Sequence, residues 1–399
     1  MARASISYAV VAVAVAVYAP FLQPYYQALG ISLGAIGALV AFTSLVALFS
    51  APTWGAIHDR LPTARFLLPL AAAIAALGAL GLATVGASPV LIPSAGAFAI
   101  GMSGLSPMMD VRVLSLVGTD RTHYARVRVW GSISFIVCTP IIGWAIGENY
   151  RNLFLVLIPS VLLGGLAAML LPGRAGEVRG ASLRQAPGRV LGHLTIALFL
   201  IGALVGWTAV SAQSTFFSIY LHQIGASNEQ IGWAWSIQAA LEVPSMILFP
   251  QLARRFGAER LMVLGMAIMA VRQVANAVFV TPSFLIAFSL LQGAGYGLLS
   301  IGGITFVSRH APRGTAATAQ GILSGVTLSL SVIIGSGLGG LLAGWLTIRG
   351  LFAISACLGV AAIFLIALAV LPAANRPAAE GPSTGPPTLA WEPEAADET

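Results

Sequence analysis

The chain has 399 residues, of which 58% are hydrophobic and only 8% charged, against roughly 25% charged in a soluble domain. So few charges cannot cover a water-facing surface, and apolar runs of about 20 residues, the length that crosses a bilayer, recur from end to end. The composition describes an all-α integral membrane protein and excludes a soluble enzyme, a nucleic-acid binder and a β-barrel. The net charge of +7 comes from Arg without any Lys, and in such a chain it speaks first to topology. Cys138 and Cys357 lie in apolar runs and read as packing residues.

In chain order, the runs predict twelve spans: 6–28, 32–57, 66–87, 90–117, 126–147, 151–172, 193–222, 228–250, 260–281, 283–308, 316–347 and 350–371. Arg3 before the first run would suit a signal peptide, but further spans follow instead of a polar region. The longest connection carries Arg174, Arg179, Arg184 and Arg189 between Pro172 and Pro187. It divides the chain into an N-terminal six-helix bundle (1–172), a linker (173–192) and a C-terminal six-helix bundle (193–372). The remainder, 373–399, is Pro-rich and acidic and is expected to be disordered.

Arginine placement tests the count. With the N-terminus inside, sixteen arginines fall on inside segments, two (Arg151 and Arg349) outside, and two (Arg112 and Arg272) within spans. That asymmetry is what the positive-inside rule requires, so both termini are expected on the cytoplasmic side, in a bacterial inner membrane. The halves also repeat. Tyr25, Gly30, Ser32, Ile36, Gly37, Arg60 and Arg65 recur 195 residues later as Tyr220, Gly225, Ser227, Ile231, Gly232, Arg255 and Arg260. In each copy a glycine ends one helix and a serine can cap the next, and Ser227 with Gln230 can form a capping box. Two parallel six-helix repeats are the layout of the major facilitator transporters.

Charges within the bilayer are costly and mark function. They are few: Asp110 and Arg112 in span four, Arg128 entering span five, Glu242 in span eight and Arg272 in span nine. No phosphate-binding glycine loop, metal-ligand spacing or catalytic triad is visible, so neither a cofactor nor a metal nor an enzymatic activity is expected.

Gly55, His58-Asp59-Arg60, Pro62 and Arg65 resemble the loop signature of the major facilitator superfamily, which latches the two halves on the cytoplasmic side. The resemblance implies a latch of Gly55, Asp59, Arg60 and Arg65, although Pro62 stands where the family has glycine. Tyr124 to Phe135, Ala240-Leu241-Glu242-Val243-Pro244, Met269 to Arg272, Leu291-Gln292-Gly293 and Arg309 to Gly321 resemble the branch holding the lactose permease, phenylpropionate permease and nucleoside–proton symporters. That branch places an acid on helix four and an arginine eighteen residues on, with a stacking aromatic seven further. Asp110, Arg128 and Phe135 match those positions; the alternative is an ion pair that only staples helices four and five. Gln23, Gln238 and Gln292 are added as substrate-binding candidates. Glu242 matches the coupling acid of helix eight and Arg272 the helix-nine arginine that governs a carboxylate; the alternative is a static buried pair. The departure is on helix ten, where Gln292 and Gly295 replace a titratable His and Glu.

The expectation is a monomeric secondary transporter that carries a small organic solute (a sugar, nucleoside or aromatic acid) with protons. Its partners are the solute, protons and the lipid bilayer, with no nucleic acid. A drug exporter or passive facilitator of the same fold is the alternative. Exporters carry a glycine-rich run in helix five, of which this chain keeps only Pro140 and Gly143.

Overall fold

Hydrocarbon leaves a backbone no hydrogen-bond partner but itself, so each apolar run becomes a helix. The computed structural model describes residues 2–60, 66–117, 121–167, 169, 187–312 and 315–374. Six long helices come first: α1 (Ala2–Ala28), α2 (Leu33–Arg60), α3 (Leu67–Val85), α4 (Leu91–Val117), α5 (Arg121–Ile146) and α6 (Asn152–Ala167). A short helix, α7 (Pro187–Leu191), precedes α8 (Leu194–Gln223), α9 (Asn228–Phe256), α10 (Ala258–Val278) and α11 (Pro282–His310). The eleventh span is α12 (Ala316–Ser324), a π-helical turn Gly325–Leu330 and α13 (Ser331–Leu346); α14 (Ile348–Ala374) is the twelfth. Ten of these are long and apolar enough to cross a membrane. α6 is apolar but described over only 16 residues, and α9 is long but carries Asn228, Glu229, Gln230, Gln238 and Glu242.

Three boundaries differ from the sequence expectation. α2 carries Pro52 within it and continues through Arg60; Gly55 to Arg60 are its last turns, not a loop. α9 runs to Phe256 and stops at Gly257, whose φ of +86° no side chain favours. The linker is not wholly irregular, since Pro187 opens a short helix, the position where its missing N–H costs nothing. Residues 173–186 and 375–399 lie outside the described residues.

The internal repeat is structural. Gly30 and Gly225 take φ of +80° and +90°, and the Ser32 and Ser227 hydroxyls accept the N–H of Ala35 and Gln230. Gln230 completes the capping box by accepting from Ser227 N–H at 3.0 Å. Tyr25 donates to Leu82 O at 2.6 Å, and Tyr220 donates to Phe279 O at 3.1 Å. Each tyrosine thus ties the first helix of its half to the C-terminal end of the third.

Within the first six helices, α3 packs on α4 and α6, and α1 on α5 and α6; within the last six, α14 packs on α8 and α10, and α11 on α9 and α10. The two sets meet along α5–α9 and α2–α13. Both seams are glycine-lined where they close. A Cβ on Gly37 would stand 2.7 Å from Gly340 Cα, and one on Gly232 2.6 Å from Thr139 O. Gly143 admits Asn228 in the same way. Three hydrogen bonds cross there: Tyr150 Oη to Asn228 Oδ1 at 2.8 Å, Asn228 Nδ2 to Gly147 O at 2.7 Å and Ser236 Oγ to Ile136 O at 2.6 Å. Burial pushes the Tyr150 phenol up to about 12, so it remains a donor near neutrality. All these contacts lie at the end opposite the arginine-rich connections.

Adding side chains to such a seam costs about 1–3 kcal/mol, enough to shift a two-state equilibrium roughly 5- to 150-fold. Gly37→Leu with Gly232→Leu is therefore expected to open this end. A cysteine at Ser236, which is 3% exposed, should then react with an impermeant maleimide in a background lacking Cys138 and Cys357. Labelling as slow as in the parent would mean that other contacts close the seam.

Candidate functional site

Between the two sets of helices lies a cavity of about 410 Å³. α1 contributes Tyr8 and Val15, α5 Arg128, Ser132 and Phe135, α9 Trp235, Gln238 and Glu242, and α11 Tyr296. Val15, Ser132, Glu242 and Tyr296 each fall near the middle of their helix, which sets the cavity at mid-depth. Arg128, Ser132 and Phe135 follow the i, i+4, i+7 spacing of one helix face, and Trp235, Gln238 and Glu242 follow i, i+3, i+7 on the facing helix.

The opposite charges of Arg128 and Glu242 share this cavity, which Tyr296 also lines. The position of Glu242 is fixed from behind. Gly293 and Gly297 let α11 approach α9 to backbone distance, a Cβ at Gly293 standing 2.9 Å from Glu242 N. The Ser245 hydroxyl, placed between Glu242 O at 2.7 Å and Gly293 O at 3.2 Å, ties the same level. Trp235 Nε1 donates to Ser218 Oγ at 2.9 Å, which holds its indole on the wall.

The expected residues divide among several places. Arg128, Phe135, Gln238 and Glu242 come together on the cavity wall. Asp110 does not line it; its carboxylate accepts a hydrogen bond from Tyr8, which does. Gln23 lines a second cavity of about 290 Å³ among α1, α2 and α4, with Tyr18, Tyr26 and Phe98. Gln292 is not a cavity residue. It is 3% exposed and accepts from Arg272 Nη1 at 3.0 Å.

Arg272 likewise does not pair with Glu242. Its Nη1 also donates to Gln213 Oε1 at 3.0 Å, and its guanidinium carbon sits 4.5 Å from the Phe217 ring centroid. α9 and α10 each pack along α11 and barely touch one another, so α11 separates the two residues that the sequence suggested as a pair. The cation facing Glu242 is Arg128 instead. At the latch, Gly55 lies in α2 with open space where a Cβ would be, and Arg60 is exposed in the last turn. The Asp59 side chain and Arg65 lie outside the described residues.

Residues 1–354 match the MFS_1 like family. The chain belongs to that family of transporters. The family consists of transporters, not enzymes, and the fold agrees. The chain superposes on the nucleoside transporter NupG with a TM-score of 0.82 at 16% identity, over 92% of this chain and 98% of that one. A bacterial homologue of the human lysosomal transporter Spinster, in an inward-facing and occupied conformation, gives a TM-score of 0.71 at 16% identity over 92% and 95%. In sequence, this MFS_1-like chain is 26% identical to the maltose permease of Geobacillus stearothermophilus over 87% of its own length and 90% of the permease. It is 24% identical to a probable 3-phenylpropionic acid transporter of Escherichia coli over 67% and 71%.

Tyr8 is the site residue that sequence reasoning missed. Its signal was weak: a single phenol near the start of an apolar run, 102 positions from the acid it touches. A hydrogen bond to a charged group contributes about 1.5–3 kcal/mol. Tyr8→Phe and Asp110→Asn are each expected to lower the melting temperature of the purified transporter, with a double-variant coupling of about 0.5–3 kcal/mol. Strictly additive losses would show that the two side chains act separately.

Proposed function

We propose that this secondary transporter carries a small hydroxylated or carboxylated solute, of the sugar, nucleoside or aromatic-acid kind, together with protons. The observation that carries the reading is the single cavity that holds Arg128, Phe135 and Glu242 at mid-depth between the two sets of helices. Its volume lies in the range of small-molecule sites. The Arg128 fork can donate a bidentate pair to vicinal hydroxyls or a carboxylate, and Phe135 and Trp235 offer flat apolar faces to a sugar ring or aryl group. A maltose permease and a probable 3-phenylpropionic acid transporter among its relatives support these classes.

Glu242 is the proton carrier in this reading, in competition with the solute for Arg128. Arg128, sharing the cavity, favours the ionised form of Glu242 in this reading. A solute that occupies Arg128 leaves the carboxylate without its cation in a drying cavity, and it takes a proton. Solute and proton then bind with positive coupling, which is what symport requires. Both termini and the linker are cytoplasmic by the arginine asymmetry, in a bacterial inner membrane. The closed glycine seams then face outward. The chain acts as a monomer of two six-helix bundles.

Reporter fusions after Arg189 and Arg376 should report the cytoplasmic side, and a periplasmic signal from either would overturn the orientation. The solute is to be found by a thermal-shift screen over sugars, nucleosides and aryl acids, since a ligand of the folded state alone raises its melting point. Against that ligand, Arg128→Lys should weaken binding about tenfold or more, because a point charge does not replace a planar fork. In proteoliposomes, Glu242→Gln should abolish accumulation against a gradient and proton flux while sparing solute exchange. A wild type that moves no protons would make the chain a facilitator, and coupling retained in Glu242→Gln would transfer the role to Asp110.

A further inference from the structure

Away from the cavity, the last six helices bury a second polar group. Arg272 is 1% exposed, Gln213, Gln273 and Asn276 are 0% and Gln292 is 3%. Arg272 Nη1 uses the amide oxygens of Gln213 and Gln292, and Phe217 lies against the guanidinium. None of these neighbours is an acid. Four buried donors remain unpartnered, Arg272 Nε, Gln213 Nε2, Gln273 Nε2 and Asn276 Nδ2, together with the amide oxygens of Gln273 and Asn276. Asn276 stands four residues after Arg272 and three after Gln273, so it shares a helix side with each, and Gln213 faces Arg272 from α8. Gly359 of α14 gives Gln273 its room, because a Cβ there would collide with Gln273 Oε1.

Arginine stays protonated in proteins, and a buried charge without a counter-charge is strongly unfavourable. Water would satisfy the amide hydrogens but leave the charge. A metal cation is repelled by the guanidinium. Glu242 lies across α11, which presents Gly293 to α9 and Gln292 to Arg272. The transported solute meets the cavity wall, to which none of these five residues belongs. We propose that the Arg272 cluster is a binding site for a small monovalent anion of the size of chloride, held by donors from α8 and α10 beneath α14. The anion supplies the negative charge that this chain's own side chains do not. The site is separate from the solute cavity, so the proposal stands whichever solute is carried.

The test uses the purified full-length protein in detergent, melted in sodium chloride and in sodium gluconate of equal ionic strength, with bromide and sulfate as comparisons. Chloride and bromide should raise the melting point saturably by a few degrees, as a ligand of the folded state does; sulfate and gluconate should not. Radioactive chloride should be retained at one ion per chain. Gln273→Met with Asn276→Leu, which removes unpaired buried groups, should melt in gluconate no lower than the wild type yet lose the chloride shift and the retained ion. Arg272→Gln should lose both as well. Equal melting in chloride and gluconate with no retained ion would overturn the proposal and leave water as the occupant. A chloride effect that survives in all the variants would also overturn it, by placing the ion elsewhere. Should the variants fail to fold, ion retention by the wild type alone decides between one ion and none.

Discussion

A charge inside hydrocarbon persists only where something fixed answers it, and the centre of this transporter is arranged around that constraint. Glu242 and Arg128 face one cavity from opposite helices. Asp110 is met by the Tyr8 hydroxyl, and Arg272 by two amide oxygens and an aromatic face. Of these, only Arg128 and Glu242 bring the two sets of helices to one site; Asp110 is answered from α1 within the first set and Arg272 from α8 and α11 within the last. The pairing across the cavity is polar and water-accessible, which makes it breakable by a solute. The pairing around Arg272 is buried and lies within one set.

Packing within a set and packing between the sets differ in part. Where helices of one set meet, interlocking aromatic pairs such as Phe199 with Phe306 and Tyr25 with Phe154 stand beside glycine contacts such as Gly293 on α9. Where the two sets meet at the closed end, glycine backbone lies against backbone at Gly37, Gly143, Gly232 and Gly340. Small residues allow close approach without interlocking, so the halves can part without repacking a core. Gly335, one turn before Gly339, packs instead on Thr208 and Ala212 of α8. α13 thus presents one glycine face to its own set and another to the opposite one. The π-helical turn Gly325–Leu330 just before it adds a residue to the helix where the two faces must be set in register.

The fold was legible because length and apolarity alone dictate spanning helices. The arginine asymmetry and the 195-residue repeat then fixed their grouping, and the paired tyrosines and glycine turns of the two halves bear the repeat out. The site was legible in part. Spacing places Arg128 with Phe135, and Gln238 with Glu242, on single helix faces, which needs no knowledge of neighbours. It does not say which helix a face meets. Glu242 and Arg272 are both central in their spans, yet α11 runs between them. Tyr8 meets Asp110 only because α1 and α4 cross at that depth. Gln292 occupied a family position and turned inward to Arg272. Each miss is a tertiary contact between residues far apart in sequence, set by packing that no local pattern records.

The missing titratable pair on α11 follows from this packing. α11 is wedged between α9 and α10 by glycines on both sides. Gly293 and Gly297 of α11 pack against α9, while Gly295 stands against Gly265 and Met269 of α10, where a Cβ would come within 2.7 Å of Met269 Cγ. A glutamate at position 295 could not enter without separating α10 from α11. Gln292 cannot exchange a proton, and its amide oxygen is already engaged with Arg272. The closeness of α11 to α10 therefore excludes a carboxylate from position 295. Among the described residues, Glu242 is the only carboxylate on the cavity wall. A relative with looser α10–α11 packing could keep its acid on the tenth span, whereas in this chain the tight packing confines that chemistry to the eighth.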